Sequence, residues 1–420
     1  MSASSAPPER YHALDSLRAA MMLGIIAIHA CIPYGTMAGS LWDFADRQPG
    51  RLVDFVGFYL HTLTLPVFFV MAGFFAMMMV EKRGVREFLS NRSRRVLVPL
   101  IIGLIVCIPL IWSGLAFGKA RWLGQPDPWQ AALSSILPGA QNREGPLSHL
   151  WFLYFLMLYY LLSALMLKLA PIIPAGVSEG ARRLFRRVIA SFWLRLIVFT
   201  LLTAVTLIFT PILGASTQFL PEWRMFLGFG VFFYFGWFLY GQRDLLPTFQ
   251  RGFWWLLALT PPLLIVRLIF LGKIMQMAGA DGFSAIFSIL QRDPVSYLIL
   301  IGAGSLLIWS MTLGFMGLYL KQFSRESKVG SYLSEASYWM YIVHMPLVIW
   351  MQSLVMFVPI PGWAKFLLVT AAGILLTMLA YDLFVRSTFI GEALNGRRKP
   401  RVLFTGRTRD EQATQPASTS

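Results

Sequence analysis

The chain has 420 residues, 57% of them hydrophobic and only 13% charged, about half the charged share of a soluble domain, which excludes a soluble enzyme or a disordered polymer. The net charge of +16 does not point to nucleic acid, because Lys and Arg stand in blocks between apolar runs and form no aromatic-interleaved basic face. Cys31 and Cys107 both lie inside apolar stretches, with neither a disulfide framework nor metal-ligand spacing, so no metal is expected.

In chain order, apolar runs near the roughly 20 residues that a spanning helix needs fall at 14–34, 57–80, 96–117, 149–168, 192–213, 225–241, 253–271, 296–319, 338–357 and 365–386. The expected fold is all-α, a polytopic integral membrane bundle of about ten transmembrane helices. The first run follows a polar start without a small-residue cleavage pattern, so it is expected to be a retained helix. One set of connecting loops carries Lys82, Arg83, Arg86, Arg92, Arg94 and Arg95, then Arg182 to Arg187, then Arg243 and Arg251, then Lys321, Arg325 and Lys328. The other set, such as Asp43 to Asp54 and Trp122 to Glu144, is poorer in cations. The positive-inside rule puts the first set in the cytoplasm together with both termini. Residues 1–396 read as one transmembrane domain, and 397–420 as a basic, then polar, disordered cytoplasmic tail. No internal repeat marks two inverted halves, which weighs against a secondary transporter.

Ionisable groups at membrane depth are costly and mark function. Of five histidines, His29, His61, His149 and His344 lie in or at the ends of expected spans, and only His12 lies outside. His29 follows Arg18 by eleven residues, three turns plus roughly 20°, which puts both on one helix face about 16 Å apart along the axis. That spacing suits a long substrate with an anionic head near Arg18 and a reactive end near His29. The plainer alternative is a histidine bonded to a neighbouring helix and an arginine that only sets topology. Arg92, Arg94 and Arg95 precede the third span, where guanidinium groups and the amides of a helix start offer an anion site; ordinary positive-inside charge explains them equally. Tyr338, Tyr341 and His344 share one face of the ninth span, and His149 opens the fourth. Arg267, inside the seventh, needs a partner or an aqueous cavity that the sequence does not name. Asp15 pairs with Arg18 by spacing but lies too far from His29 to orient it. Glu222, Asp281 and Glu335 are the acids open for that role.

The segment YHALDSLRAAMMLGIIAIH, with an arginine, ten residues and a histidine, resembles the opening helix of the membrane acyltransferase 3 family. LPVFFVMAGFF, FLSNRSRRVLVP, SHLWFL and ASYWMYIVHMPLVI follow in the same order as in that family, so the resemblance runs from about Arg10 to Gly396. Within the family, the LDSLRA start, His61, SHLWFL and EALNGRRKP are similar to the periplasmic glucan biosynthesis protein C group, which succinylates osmoregulated periplasmic glucans. Two departures stand out. Ala72 precedes Gly73 where the family often has serine, and no basic residue lies near Thr64, where a cation would recognise a succinyl carboxylate.

The resemblance implies a multi-pass enzyme of the bacterial cell inner membrane that moves an acyl group from cytoplasmic acyl-CoA, as succinyl-CoA or acetyl-CoA, to hydroxyls of a periplasmic glucan. Acyl-CoA is then a donor substrate, and no permanently bound cofactor is expected. Arg18, Arg92, Arg94 and Arg95 would hold its phosphates. His29 would act as general base or as an acyl-carrying nucleophile, with His344 and His149 moving protons or positioning the acceptor. Competing readings are an acyltransferase for another cell-envelope glycan and a glycan or lipid transporter. The bilayer, acyl-CoA and the glycan are the expected partners, and nucleic acid is not.

Overall fold

The computed structural model describes residues 11–36, 42–137, 139–140, 145–279 and 286–402, and among them helices are the only regular structure. The long helices are α1 (His12–Cys31), α2 (Arg51–Arg92) and α3 (Val98–Trp122). After the short α4 (Pro128–Ser134) come α5 (Trp151–Leu169), α6 (Ala175–Ala190), α7 (Phe192–Leu207), α8 (Trp223–Tyr240) and α9 (Phe253–Ala278). The short α10 (Ile286–Arg292) then leads to α11 (Pro294–Gln322), α12 (Lys328–Val355), α13 (Gly362–Ala380) and the short α14 (Phe389–Asn395). Asp281 and the tail from residue 403 onward lie outside the described residues.

Among the described residues, six helical stretches are long and apolar enough to cross a membrane, or up to eight if each of two bent pairs forms one span. The bent pairs are α6 with α7, at 112°, and α8 with Arg243–Gln250, at 111°. Large apolar side chains such as Ile105, Leu201 and Leu375 are exposed around the outside, whereas Arg195, His344, Gln352 and Lys365 are buried within. A lipid solvent requires that inversion, since a polar group facing hydrocarbon has no hydrogen-bond partner. The chain is a multi-pass membrane protein.

Three expectations change. Residues 81–92 are not a loop, because the helix of α2 breaks at Gly84, where the backbone is non-helical with φ 77°, and resumes as far as Arg92. Arg92, Arg94 and Arg95 do not precede a free helix start: the π turn Ser93–Leu97 carries α2 into α3 with its backbone hydrogen-bonded. The amides that were to help bind an anion are therefore already occupied. The cations Arg182, Arg183, Arg186 and Arg187 sit on the amphipathic helix α6 rather than in a loop.

Two contacts frame the bundle. Helices α2 and α8 cross at Gly73 and Gly236, where a Cβ on Gly73 would meet the Phe233 carbonyl and one on Gly236 the Val70 carbonyl. Small residues let helix backbones approach this closely in lipid. Helix α1 packs on α2, α12 and α13, and it runs parallel to α12. Arg18 meets Ser334 near the start of both helices, and His29 meets His344 further along both.

Candidate active site

Three helices deliver three histidines to one point. His29 stands in the last turn of α1, and its ring stacks on that of His344, centroids 5.1 Å apart and planes 17° from parallel. His149 comes from the single 3-10 turn Ser148–Leu150 at the head of α5 and meets His344 edge-on at 5.3 Å. His149 and His344 are buried, and His29 is half-buried.

The hydrogen bonds fix the tautomers. His344 Nδ1 lies 2.7 Å from the Tyr341 carbonyl and 3.2 Å from the Met340 carbonyl. A carbonyl only accepts, so Nδ1 carries the proton and Nε2 keeps its lone pair. His149 Nε2 donates to the Ile342 carbonyl at 3.1 Å, which leaves the lone pair on Nδ1. His344 Nε2, His149 Nδ1 and His29 Nδ1 are all buried without a partner. Two imidazoles with free lone pairs, beside a third with an unsatisfied ring nitrogen, form a constellation able to accept a hydroxyl proton.

Local sequence explains the geometry. Pro346 lies within α12 and has no N–H to give the carbonyl four residues back, Ile342. That freed carbonyl receives the His149 N–H and the Cys107 thiol, the latter at 3.4 Å. Tyr341 donates its hydroxyl to the His149 carbonyl, so α12 holds the His149 turn by both ring and backbone. At the end of α1, where the last carbonyls lack helical partners, Gln352 Nε2 donates to the His29 carbonyl at 2.7 Å and to the Ala30 carbonyl at 3.2 Å. Gln352 Oε1 in turn accepts the Trp42 indole N–H at 3.2 Å. Gln352 carried a signal that went unread, an amide inside an apolar run.

The cations gather at the other end of α1. Arg18 pairs with Asp15 at 3.1 Å and donates to Ser334 Oγ at 2.6 Å, so the expected Asp15 pairing is present. Arg92 lies against the Phe88 and Tyr160 rings, 5.6 and 5.2 Å from their centroids, with its Nε buried and unpartnered. Arg95 feels the charges of Arg92 and Arg83, and its carbonyl accepts the Tyr338 hydroxyl at 2.6 Å. Arg94 is exposed. Among the described residues no carboxylate pairs with Arg92, Arg94 or Arg95. The tyrosine face of α12 thus links both ends, with Tyr338 at the arginines and Tyr341 at the histidines.

Of the acids considered for His29, neither Glu335 nor Glu222 reaches it. Glu335 pairs with Arg386 at 3.1 Å and with Lys399, and Glu222 stands at the start of α8 with its own N–H on Ser216 Oγ. Among the described residues, no three His, Cys, Asp or Glu side chains converge as metal ligands. Arg267 does find its surroundings. It lines a small cavity of about 10 Å³, room for about one water, with His61, Thr62, Leu65, Pro66, Leu213, Phe229 and Ile308.

A family profile described as an acyltransferase domain matches residues 11–382, which holds all three histidines, Arg18 and the arginine cluster. The chain belongs to this acyltransferase 3 family. It is also similar to the glucans biosynthesis protein C of Escherichia coli strain SMS-3-5 / SECEC, 27% identical over 156 residues. The protein of the same name from Escherichia coli O1:K1 / APEC matches equally, at 27% over 156 residues. The matched segment spans 36% of this chain and 37% of each relative, little more than a third of the relatives' length. No solved structure matches the chain.

Proposed function

We propose that this acyltransferase moves an acyl group, as the succinyl or acetyl thioester of coenzyme A, from the cytoplasm through the bundle to a hydroxyl of a periplasmic glucan in a bacterial inner membrane. The observation that carries the reading is the meeting of His29, His149 and His344 at one end of a helix whose other end bears Arg18 beside Arg92, Arg94 and Arg95, with which no described carboxylate pairs. The proposed topology has ten spans with both termini in the cytoplasm. It draws support from the parallel run of α1 and α12 and from the basic helix α6 between α5 and α7.

In this mechanism the arginines hold the phosphates of the donor as bidentate partners. The pantetheine arm runs along the face shared by Arg18 and His29, about 16 Å by helix rise. A sugar hydroxyl approaches from the far side, and His29 takes its proton as the oxygen attacks the thioester carbonyl. The C–O bond forms, the C–S bond breaks, and the proton passes to the departing thiolate to give free coenzyme A thiol. His344 and His149 orient the hydroxyl through their free lone pairs.

The test is the mass of periplasmic glucans from a deletion strain complemented with wild type or with His29→Ala at equal membrane levels. An acyl increment with wild type and none with His29→Ala is expected. Acylation that survives the substitution rules out His29 as the base, and glucans without acyl groups in both strains move the acceptor elsewhere.

A further inference from the structure

Two helix pairs turn through more than a right angle at the same end of the bundle. Helix α6 meets α7 at 112°, and α8 meets Arg243–Gln250 at 111°. The two turned segments touch, with Arg186 on Asp244 at 2.7 Å and on the Gln242 side-chain oxygen at 2.7 Å. Arg243 in turn reaches Glu81 of α2 at 3.0 Å, which ties this shelf to the end of the bundle that carries Arg92, Arg94 and Arg95. A helix turned across the axis of a spanning helix lies along the bilayer surface rather than through it.

Packing fixes which way α6 faces. The Phe185 ring sits against Phe199 of α7 and Phe238 of α8, centroids 6.3 and 5.8 Å away, and Val188 and Ile189 are buried. At about 100° per residue, Phe185 and Ile189 mark the side toward the bundle, and Arg182 and Arg186 lie about 60° further round. Those two arginines are paired, with Glu179 and Asp244. Val177, Ala181 and Leu184 fall about 90° the other way from the bundle side. All three are exposed, Val177 by 60% and Leu184 by 62%. Arg183 and Arg187 border this strip on the side away from the bundle, both exposed, and among the described residues neither meets an acceptor.

Water does not favour the apolar strip, and hydrocarbon does not tolerate the two cations; the headgroup boundary accommodates both. Helix α7, which follows directly, exposes Trp193, Ile197 and Leu201, so the surface after α6 faces lipid as well. One turn, about 6 Å, separates Arg183 from Arg187, a spacing at which two planar guanidinium forks can close on one phosphate. Positive-inside charge alone calls for cations on this side of the membrane. It does not call for the two unpaired ones to border an exposed apolar strip on a helix turned across the spans.

We infer that α6 is an interfacial anchor and that Arg183 and Arg187 bind the phosphate of an anionic phospholipid in the leaflet at the arginine end. Arg186 holds the shelf to the bundle through Asp244, and Arg182 is neutralised by Glu179. The lipid site stands apart from the acyl-transfer reading and does not depend on it.

The experiment is fluorescence quenching of a bimane dye on Leu184→Cys in the full-length chain. The chain is held in phosphatidylcholine nanodiscs with a rising fraction of acyl-brominated phosphatidylglycerol or, in a second series, acyl-brominated phosphatidylcholine. Cys31 and Cys107 are buried, and identically treated wild type supplies the background. Each arginine at an anionic surface favours it about fivefold, so phosphatidylglycerol is expected to be preferred over phosphatidylcholine at the dye by roughly ten- to thirtyfold. Arg183→Gln with Arg187→Gln should bring the two lipids within about threefold. Removing the neutral pair, Glu179→Gln with Arg182→Gln, should leave the preference unchanged. A dye that neither lipid quenches places the strip in water and overturns the anchor. Equal quenching by both lipids in the chain with all its arginines overturns the anionic site, and so does a preference that survives Arg183→Gln with Arg187→Gln.

Discussion

Pro346→Ala separates stability from activity, because the proline is an unfavourable helix residue retained beside the histidines. A proline inside a helix costs about 3 kcal/mol relative to alanine, and in α12 it denies the Ile342 carbonyl its usual partner. The His149 N–H at 3.1 Å and the Cys107 thiol at 3.4 Å take that place, and the first is worth about 1 kcal/mol. The alanine variant restores the helical bond, so its folded state gains about 1–2 kcal/mol net. The restored N–H competes with His149 for the same carbonyl, which frees the His149 ring and disturbs its edge-on contact with His344. Displacement near 1 Å at a reacting constellation costs roughly a hundredfold in rate, and a loss between tenfold and that value is expected. Thermal unfolding in detergent and glucan acylation kinetics on the same preparations read both numbers. A variant more stable than wild type with unchanged kcat refutes the positioning of His149 by this carbonyl. A less stable variant refutes the proline argument itself.

Other substitutions probe the frame. Gln352→Leu leaves the His29 and Ala30 carbonyls and the Trp42 indole unpaired, so stability should fall by about 2–4 kcal/mol and kcat should fall with little change in KM for the donor. Lys365 pairs with Asp46 at 2.5 Å, both side chains nearly fully buried. Lys365→Met alone should cost about 3–5 kcal/mol in unfolding measurements, and Lys365→Met with Asp46→Leu should recover most of it. Gly236→Val forces a side chain into the Val70 carbonyl and should lower the folded yield in membranes, at a cost of about 1–3 kcal/mol or more. Asp293, which accepts from Lys273 at 2.6 Å, has its carboxyl lowered to about 2, first by that hydrogen bond and then by those from Ser296. A lowered carboxyl stabilises above its unfolded value near 4 and loses that effect as pH falls through about 2. The melting-temperature advantage of wild type over Asp293→Asn should therefore hold above pH 4 and shrink toward pH 2.

The bundle was legible because lipid imposes a one-dimensional rule, a long apolar run for each crossing. The site was legible where one helix held two of its members. Arg18 and His29 share a face by spacing, and both indeed touch α12, at Ser334 and His344. The convergence of His149 on His344 was hidden because it joins residues 195 apart in sequence through a single 3-10 turn. The helical turns up to Arg92 are hidden in the sequence because a run of charged residues looks like a loop, while the helix resumes after its break at Gly84. Arg267 was recognised as anomalous, yet its cavity depends on Pro211 and Leu213 from the α7–α8 connection, which no local pattern joins to α2.

Among the described residues no carboxylate stands beside His29, and this changes how its orientation must be understood. In a carboxylate-oriented histidine, one acid sets the tautomer and one substitution removes it. Here the rings of His344 and His149 donate to main-chain carbonyls of α12, at Tyr341, Met340 and Ile342, and the carbonyl of His29 is itself held by Gln352 of the same helix. Helix α12 therefore fixes all three histidines, two through its backbone and one through a side chain. The same helix reaches the arginine end through Tyr338 and Ser334. A shift of α12 by even part of a turn would move the anion-binding end and the proton-accepting end together. In the proposed reaction, donor binding at Arg92, Arg94 and Arg95 would thereby be coupled through α12 to the geometry at His29.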